Sequence, residues 1–281
     1  MCIYNIYLIF VKYIHMYHIT LCSDENNYSG LLAVINSIKM NTKRLNDIKF
    51  HILVYENSDD LAKKMDIAFA GTVSYEIKEL SKYSHITSFL NDTMVIHGGE
   101  KFKHILNIMN FARFYMPIIF EDVDFGLYLD TDMIVLTDIT NIFNEVVLDD
   151  SLTIAVPNKA RPVKFFSGPI KYVLGFNAGI YILNFVYWRN NNILSECEKI
   201  MVQNKENRMF DLGTQPILNL IFNKNWKPID RRWNFTNLGS RIIDDKKTNS
   251  QFVLHWTGTK KPWLDDGLNK EYWEKYKINI I

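Results

Sequence analysis

The alternation of short apolar segments with helical segments is the feature that most restricts how this chain can fold. In the first half, segments typical of buried strands alternate with segments of helical periodicity. The strands are predicted at residues 18–23, 48–55, 72–77 and 125–130, and the helices at residues 28–38, 59–64 and 104–120. Strands separated by helices predict an α/β fold with a mostly parallel central sheet flanked by helices.

The second half adds strands at residues 152–157, 178–185 and 252–256, and helices at residues 187–201, 211–222 and 269–276. No repeat, low-complexity stretch or linker rich in proline and glycine divides the chain. Residues 16–281 are therefore predicted to form one domain. Sheets of this kind bind ligands beyond the carboxyl ends of their strands, and the polar motifs of this chain fall at such ends.

Two acidic residues follow the fourth predicted strand, Asp130 and Asp132. In an extended chain, side chains at positions i and i+2 project to one side, so two such carboxylates can bind one divalent cation. A cation there would bridge the oxygens of a diphosphate. The alternative is a polar turn in which one aspartate caps a helix. We expect these carboxylates to be exposed, so that replacing Asp132 with alanine leaves the fold intact.

His255 ends the last predicted strand and is followed by Gly258, Lys260 and Lys261. This order is typical of a metal-binding imidazole followed by a loop that binds phosphate through backbone amides and a lysine. A histidine at a strand end is more often structural, but the glycine and the lysines favour the binding interpretation.

The charged residues argue against a polyanionic partner. There are 32 basic and 31 acidic residues, a net charge of +1, so no overall field attracts nucleic acid or anionic membrane. The three cysteines, Cys2, Cys22 and Cys197, are too widely spaced for a disulfide framework. They favour a reducing compartment or buried thiols.

Residues 1–15 are predicted to be an N-terminal extension. Their apolar segment, residues 3–14, is too short to span a bilayer and lacks a basic leader and a small-residue cleavage site. It is interpreted as an extra strand, a weak anchor, a secretory segment or an upstream extension, and no firm membrane span is predicted. A cytoplasmic location is favoured, and the sequons at Asn91 and Asn234 would matter only in a secreted protein.

Six motifs in order resemble glycosyltransferase family 8: SDENNY (23–28), ARF (112–114), LYLDTD (127–132), FNAGIYILN (176–184), GTQPILN (213–219) and HWTGTKKPW (255–263). This family includes glycogenin, bacterial lipopolysaccharide galactosyl- and glucosyltransferases, and pectin-type galacturonosyltransferases. The resemblance extends from about residue 16 to the C-terminus. It implies a Rossmann-like nucleotide-diphospho-sugar transferase fold of the GT-A type and a UDP-sugar donor.

The resemblance also implies roles for individual residues. The metal ligands would be Asp130, Asp132 and His255, the diphosphate contacts Gly258 and Lys261, and the segment lining the donor-sugar site Asn177, Ala178 and Gly179. Arg113 would be a basic residue near the phosphates and the donor sugar. Lys261 matches the family better than Lys260. Two carboxylates and an imidazole suit Mn²⁺ somewhat better than Mg²⁺ or Ca²⁺. Without the resemblance, Arg113 would be interpreted as a helix-surface salt bridge and residues 177–179 as a turn.

Two positions depart from the family pattern. The segment from Asp24 to Tyr28 has one residue more than the family's Asp-Asp-Asn-Tyr. Asp24, Asn27 and Tyr28 are assigned to the nucleotide, with Tyr28 facing the uracil, and either Asp24 or Glu25 contacts the base. Thr214 stands where bacterial members have an acidic residue, directly before Gln215. The GTQP tract and the C-terminal tail resemble the galacturonosyltransferase branch.

The function expected from the resemblance is a retaining, Mn²⁺-dependent transfer of a hexose or hexuronic acid from a UDP-sugar to an acceptor hydroxyl. The acceptor would be a glycan, a glycoprotein or a lipid-linked molecule. Gln215 is the family's candidate nucleophile, and Gln215, Asp130 and Asp132 form the predicted catalytic set. An amide oxygen is a weak nucleophile, so a front-face reaction is favoured, in which the metal and Lys261 stabilise the departing diphosphate.

Three other functions remain open from the sequence. They are glycogenin-like self-glycosylation on a tyrosine, glycan binding by a catalytically degenerate protein, and a phosphatase of the haloacid dehalogenase type. The phosphatase is disfavoured because its Asp-x-Asp pair normally lies near the N-terminus, whereas here the pair is in mid-chain. Residues 159–172 form either a flap or acceptor wall, or an ordinary surface loop.

Overall fold

The structure, a computed structural model, describes residues 16–97, 99, 106–146, 154–158, 175–211, 213–223 and 225–279. The interpretations of residues 1–15 and 159–172 lie outside this range. The described strands are β1 (Tyr17–Ser23), β2 (Ile48–Val54), β3 (Ser74–Glu79), β4 (Phe125–Leu129), β5 (Met133–Val135), β6 (Ile154–Asn158), β7 (Gly175–Asn184), β8 (Lys227–Pro228) and β9 (Val253–His255).

The described α-helices are α1 (Tyr28–Asn41), α2 (Ser58–Phe69), α3 (Ser84–Thr93), α4 (Ile108–Ala112), α5 (Met116–Ile119), α6 (Phe185–Asn190), α7 (Ile193–Asn207), α8 (Thr214–Ile221), α9 (Asp245–Thr248) and α10 (Lys270–Glu274). Short 3₁₀ helices cover Glu25–Asn27, Leu45–Asp47, Leu80–Lys82, Arg113–Tyr115, Ile139–Glu145 and Arg231–Asn234. Among these helices, none combines the length and the apolar composition that crossing a membrane requires.

Within the described residues, seven strands form one sheet in the order β3-β2-β1-β4-β7-β6-β8. The pairs from β3 to β4 and the pair β6–β8 are parallel, whereas β7 is antiparallel to both β4 and β6. The predicted α/β fold with a mostly parallel central sheet is therefore confirmed. Because β7 runs in the opposite direction, its first residues lie at the same edge as the carboxyl ends of β1 and β4.

Two apolar layers cover the faces of the sheet, because successive strand side chains point to opposite sides. Ile19 and Leu21 of β1 belong to the layer that contains α1 and α2. Cys22 belongs to the opposite layer, with residues from α3 to α8. Cys22 and Cys197 are free and buried, which confirms the prediction of buried thiols for these two residues.

A second, two-stranded sheet pairs β5 with β9 in antiparallel register, so that Met133 lies opposite His255. Neither the short strand β5 nor this pairing was predicted. A third apolar cluster supports the small sheet and includes Ile134, Trp256 and Trp273. The C-terminal helix α10 therefore helps to hold the loop that follows β9.

Two predicted helices are divided in the structure. The helix expected at residues 104–120 consists of α4, a 3₁₀ turn and α5, since Pro117 has no backbone N–H to continue an α-helix. The helix expected at residues 187–201 is interrupted between α6 and α7, where Asn192 is left-handed with φ of 51°. Helix α3 and strand β8 were not predicted, and β3 begins two residues later than expected.

Candidate active site

A cavity opens at the carboxyl ends of β1 and β4. Its wall contains all residues that the sequence assigned to the site except Tyr28, namely Asp24, Asn27, Arg113, Asp130, Asp132, Asn177, Ala178, Gly179, Gln215, His255, Gly258 and Lys261. These residues come from segments far apart in the chain, so the fold brings the predicted motifs to one place.

A bend in the chain brings the two aspartates together. Strand β4 ends at Leu129, the chain bends at Thr131 and Asp132, and β5 then begins in the small sheet. The backbone N–H of Asp130 donates to Gly179 in β7 (2.8 Å), and the carbonyl of Asp132 accepts from Trp256 (2.9 Å). One aspartate is therefore anchored to each sheet. The expectation that the pair converges through extended backbone was wrong.

His255 reaches both carboxylates because β9 pairs with β5. Its Nε2 atom lies 3.2 Å from Asp132 Oδ1 and 3.7 Å from Asp130 Oδ2. Among the described residues, these three form the group of possible metal ligands, with ligand atoms within 4.8 Å of one another. A Cβ atom at Gly179 would lie 2.3 Å from His255 Cε1 and 2.9 Å from Asp130 Oδ2. The absence of a side chain at Gly179 therefore leaves space beside the cluster.

Each carboxylate has one oxygen held by the protein and one oxygen turned toward the histidine. Asp130 Oδ1 accepts hydrogen bonds from Arg113 and from the Tyr128 hydroxyl, both at 3.0 Å. Asp132 Oδ2 accepts from Lys261. Neighbouring ligands that are about 2.2 Å from an ion lie ~3–4 Å apart, and the two distances from His255 Nε2, 3.2 and 3.7 Å, are similar. The residues present thus fit a divalent cation with oxygen and nitrogen ligands.

Asp132 is buried, with 8% of its surface exposed, so the expectation of an exposed carboxylate was wrong. Burial by itself would raise the pKa of Asp132, but the neighbouring Lys261 and His255 outweigh it and lower the pKa well below the usual value. Lys261 also donates to the carbonyl of Trp256 (2.8 Å). Lys260 is exposed and lies near Asp266 instead, in agreement with the choice of Lys261.

Arg113 connects the two halves of the large sheet beneath the cavity. It is 5% exposed and donates to Asp130 and to the carbonyl of Ala178 (2.7 Å). Its guanidinium lies 4.6 Å from the centre of the Tyr128 ring. The alternative of a helix-surface salt bridge was therefore wrong.

The first residues of β7 lie beside Asp130 on the cavity wall. Asn177 Nδ2 (3.0 Å) and the backbone N–H of Ala178 (3.2 Å) both donate to Gln215 Oε1. The backbone N–H of Gly179 donates to Asn177 Oδ1 (3.0 Å). Residues 177–179 lie within a strand, so the alternative of a plain turn was wrong.

Asp24 and Glu25 occupy different places. Asp24 follows β1 on the cavity wall, and its carboxylate accepts from Asn27 (2.8 Å) and from Asn107. Glu25 accepts from Asn57 and is not on the wall. The geometry thus favours Asp24 as the acidic residue that meets a ligand.

Asn107 was missed by the sequence interpretation, which placed it inside a long helix. It precedes α4, and its Oδ1 caps the helix by accepting from the N–H of Met109 (2.8 Å). Its amide group donates to Asp24 from the same position. Asparagine is a preferred N-cap residue, and this preference was the available signal.

Tyr28 is the predicted site residue that the structure does not bring to the cavity. It is 5% exposed and packs in the core layer of α1. Its hydroxyl is buried with no hydrogen-bond partner among the described residues, and burial raises its pKa to about 12. Its contact with uracil stays a prediction. Trp263, to which the sequence assigned no role, does lie on the wall.

The loop after β9 requires glycine for two reasons. Gly258 has φ of 116°, which other residues rarely adopt. A Cβ atom there would also lie 2.3 Å from Ser240 Oγ and 2.5 Å from the carbonyl oxygen of Gly239. The predicted phosphate-binding turn therefore has a backbone conformation that depends on this glycine.

Known proteins with similar sequences cover most of this chain. The chain is 25% identical over 304 residues to mouse glycosyltransferase 8 domain-containing protein 1, covering 92% of this chain and 76% of that protein. It is 28% identical over 272 residues to the probable galacturonosyltransferase-like 9 of Arabidopsis thaliana, covering 88% and 67%.

Its fold is similar to that of the galactosyltransferase LgtC, solved in complex with donor and acceptor sugar analogues. The TM-score is 0.71 at 20% identity, and the alignment covers 94% of this chain and 97% of LgtC. This likeness confirms the GT-A type of fold. The family described as glycosyl transferase family 8 matches residues 18–267. The chain is a glycosyltransferase and belongs to glycosyltransferase family 8.

Proposed function

We propose that this protein is a metal-dependent, retaining transferase that moves a hexose or a hexuronic acid from a UDP-sugar to an acceptor hydroxyl. The observation that carries the proposal is the pair of aspartates, each with one oxygen bound by the protein and the other directed toward His255. This division leaves one oxygen of each aspartate and the imidazole nitrogen to bind one cation together.

In this proposal, Asp130 Oδ2, Asp132 Oδ1 and His255 Nε2 hold the cation, and Mn²⁺ suits this ligand set better than Mg²⁺. When bound, the cation would neutralise the negative charge that develops on the leaving diphosphate. Arg113 and Tyr128 keep Asp130 oriented through its other oxygen. The chain thereby fixes the ligands before the donor arrives.

The other residues of the cavity wall support a position for each part of the donor: base, diphosphate and sugar. Asp24, held by Asn27 and Asn107, is positioned to accept hydrogen bonds from a base. Gly258 and Lys261 offer a tight backbone turn and an ammonium group for the diphosphate. The first residues of β7, with Gln215, face the sugar.

The hydrogen bonds that the cavity carboxylates accept support a front-face reaction with retention of configuration. In the described part of the wall these are Asp24, Asp130 and Asp132, and each already accepts hydrogen bonds. Gln215 Oε1 also accepts two. We therefore propose that the bond from the anomeric carbon to the diphosphate oxygen breaks while the acceptor oxygen bonds to the same face. The acceptor's proton passes to the departing diphosphate.

The sugar and the acceptor are proposed in broader terms. The names of the relatives include a probable galacturonosyltransferase and a galactosyltransferase, so both hexuronic acids and hexoses belong in the proposal. Thr214, buried on the wall, adds no negative charge that would repel a uronic acid. The acceptor is proposed to be a glycan, a glycoprotein or a lipid-linked molecule.

The test is a screen of UDP-glucose, UDP-galactose, UDP-glucuronate, UDP-galacturonate and UDP-N-acetylhexosamines for release of UDP. We expect release from at least one donor with Mn²⁺, loss of release in EDTA, and partial recovery with Mg²⁺. Asp211→Asn, at an exposed ion pair, serves as the control variant and should match the wild type. Metal-independent release, or no release from any donor, would contradict the proposal.

A further inference from the structure

A row of three amide side chains connects the metal ligand His255 to the wall assigned to the donor sugar. Asn234 is 5% exposed, at the end of the 3₁₀ helix Arg231–Asn234. Its Oδ1 lies 2.8 Å from His255 Nδ1, and its Nδ2 donates to Asn177 Oδ1 (2.8 Å). Asn177 in turn donates to Gln215. We call Asn234, Asn177 and Gln215 the amide row.

Two backbone N–H groups fix the direction of every hydrogen bond in the amide row. The N–H of Gly179 donates to Asn177 Oδ1, so that atom is an acceptor, and Asn234 must offer its NH₂ group to it. The Oδ1 of Asn234 then faces His255. A backbone N–H cannot exchange roles with a carbonyl as an amide side chain can, so this order is determined by the backbone.

The consequence for His255 is a defined tautomer. Because Asn234 presents an acceptor, His255 Nδ1 carries the proton and donates it. In the neutral imidazole, the Nε2 atom, which points at the two aspartates, then has a free electron pair for a cation. The other end of the row is fixed similarly, because the N–H of Ala178 donates to Gln215 Oε1.

We propose that Asn234 is a positioning residue that sets the tautomer of His255 and, by donating to Asn177 Oδ1, holds the Asn177 side chain in place against Gln215. This inference rests on the proposed function and deepens it by coupling the metal site to the donor-sugar wall. Asn234 does not lie on the cavity wall among the described residues, so it acts through its two neighbours. Both polar atoms of its buried side chain have hydrogen-bond partners, so the asparagine of this sequon has a role within the fold.

Substitution by aspartate separates the two roles of Asn234. In Asn234→Asp, a carboxylate still accepts from His255 Nδ1, but it faces Asn177 Oδ1 with a second acceptor. In Asn234→Ala, both bonds are lost. Asn177→Asp keeps the acceptor for Asn234 and removes the donor for Gln215. Asn91→Asp, at the exposed sequon on α3, is the matched control.

The experiment measures Mn²⁺ affinity by electron paramagnetic resonance, UDP affinity by calorimetry, the donor KM and the melting temperature of each variant. For Asn234→Ala we expect Mn²⁺ affinity to fall about 10- to 100-fold, as for other residues that orient a metal ligand. For Asn234→Asp we expect Mn²⁺ and UDP affinity within about threefold of wild type and a donor KM raised about tenfold. Asn177→Asp should raise the donor KM without changing Mn²⁺ affinity.

The inference is overturned if Asn234→Asp weakens Mn²⁺ binding as much as Asn234→Ala, or if it leaves the donor KM unchanged. Melting temperatures near that of Asn91→Asp would show that the split is not a folding defect. If Asn234→Ala does not fold, the comparison of Asn234→Asp with Asn177→Asp still tests the inference. A wild type that binds no Mn²⁺ would instead contradict the proposed function. Suppose that the wild type binds Mn²⁺ and hydrolyses the donor, but that the variants do not differ from one another in Mn²⁺ affinity and donor KM. That result would contradict this inference alone.

Discussion

The two halves of the site are built differently. In the first half of the chain, Asp24 and Asp130 lie directly after strands of the parallel part of the sheet. In the second half, Asn177 and His255 are buried or half-buried within strands and linked by hydrogen bonds between side chains. In the proposed function, the first half sets where the donor lies, and the second half sets how closely the groups around it are held.

This difference predicts where substitutions act. Asp24, at the nucleotide end, contacts two amide side chains and none of the three proposed metal ligands, so weakening its contacts should reduce binding moderately. Residues around the proposed metal site have several partners and little space, so small changes there should have large effects. The following predictions test that contrast.

The largest effect is expected for Asp132→Ala. The substitution removes a proposed metal ligand and leaves Lys261, with its side chain 24% exposed, without its carboxylate. UDP release should fall about 10²- to 10³-fold, and the free energy of unfolding should fall by about 1–2 kcal/mol. Asp92→Ala, at an exposed pair with Lys205, should change neither quantity appreciably. Asp132→Ala protein with normal turnover would rule out the metal assignment.

Two glycine substitutions separate the effect of a crowded site from the effect of a strained backbone. Gly179→Ala places a methyl group against His255 and Asp130, and UDP release should fall by about 100-fold. Gly71 has φ of 73° and open space around it, so Gly71→Ala should cost about 1 kcal/mol of stability and leave UDP release unchanged. Turnover and urea unfolding of both variants check this. Equal turnover in the two would argue against a crowded metal site.

A smaller effect is expected at the nucleotide end, where Asn107 caps α4 and donates to Asp24. Asn107→Ala should weaken UDP binding about 3- to 10-fold and destabilise the fold by about 1 kcal/mol. Asn107→Ser retains a capping oxygen, so it should recover stability without recovering UDP affinity. Calorimetry and thermal melting separate the two roles. Recovery of both properties by serine would mean that Asn107 acts only as a cap.

The smallest effect on UDP release is expected from a change in the first half, away from the cavity, that acts through stability. Burial, with the nearby His18 and Lys49, lowers the pKa of His51 to about 3. As the pH falls below about 6.5, the unfolded chain binds a proton that the folded His51 does not, so stability falls by about 1.4 kcal/mol per pH unit. His51→Gln should flatten this dependence between pH 6 and pH 4.5 in urea unfolding. An unchanged slope would show that other groups cause it.

The sequence predicted the strand-end residues and missed the connections between side chains. Asp24, Asp130 and His255 follow from hydrophobic periodicity and motif order, because a strand end is a local feature. The bend at Asp132 and the pairing of β5 with β9 depend on contacts between residues more than 100 positions apart, which periodicity does not contain.

The amide row shows the same limit. Asn234 has no local signal except its sequon. Its role arises only where β7 and the 3₁₀ helix Arg231–Asn234 meet His255. Tyr28 shows the converse, because a motif match assigned it to the nucleotide while its apolar ring packs in the core layer. Similarity to a motif identifies positions, and packing decides which of them reach the cavity.

The most direct test of the central claim is anomalous diffraction from crystals grown with MnCl₂ and UDP. The account predicts one strong manganese peak within bonding distance of Asp130 Oδ2, Asp132 Oδ1 and His255 Nε2, next to the diphosphate. UDP bound in the cavity with no manganese peak among these three atoms would contradict it.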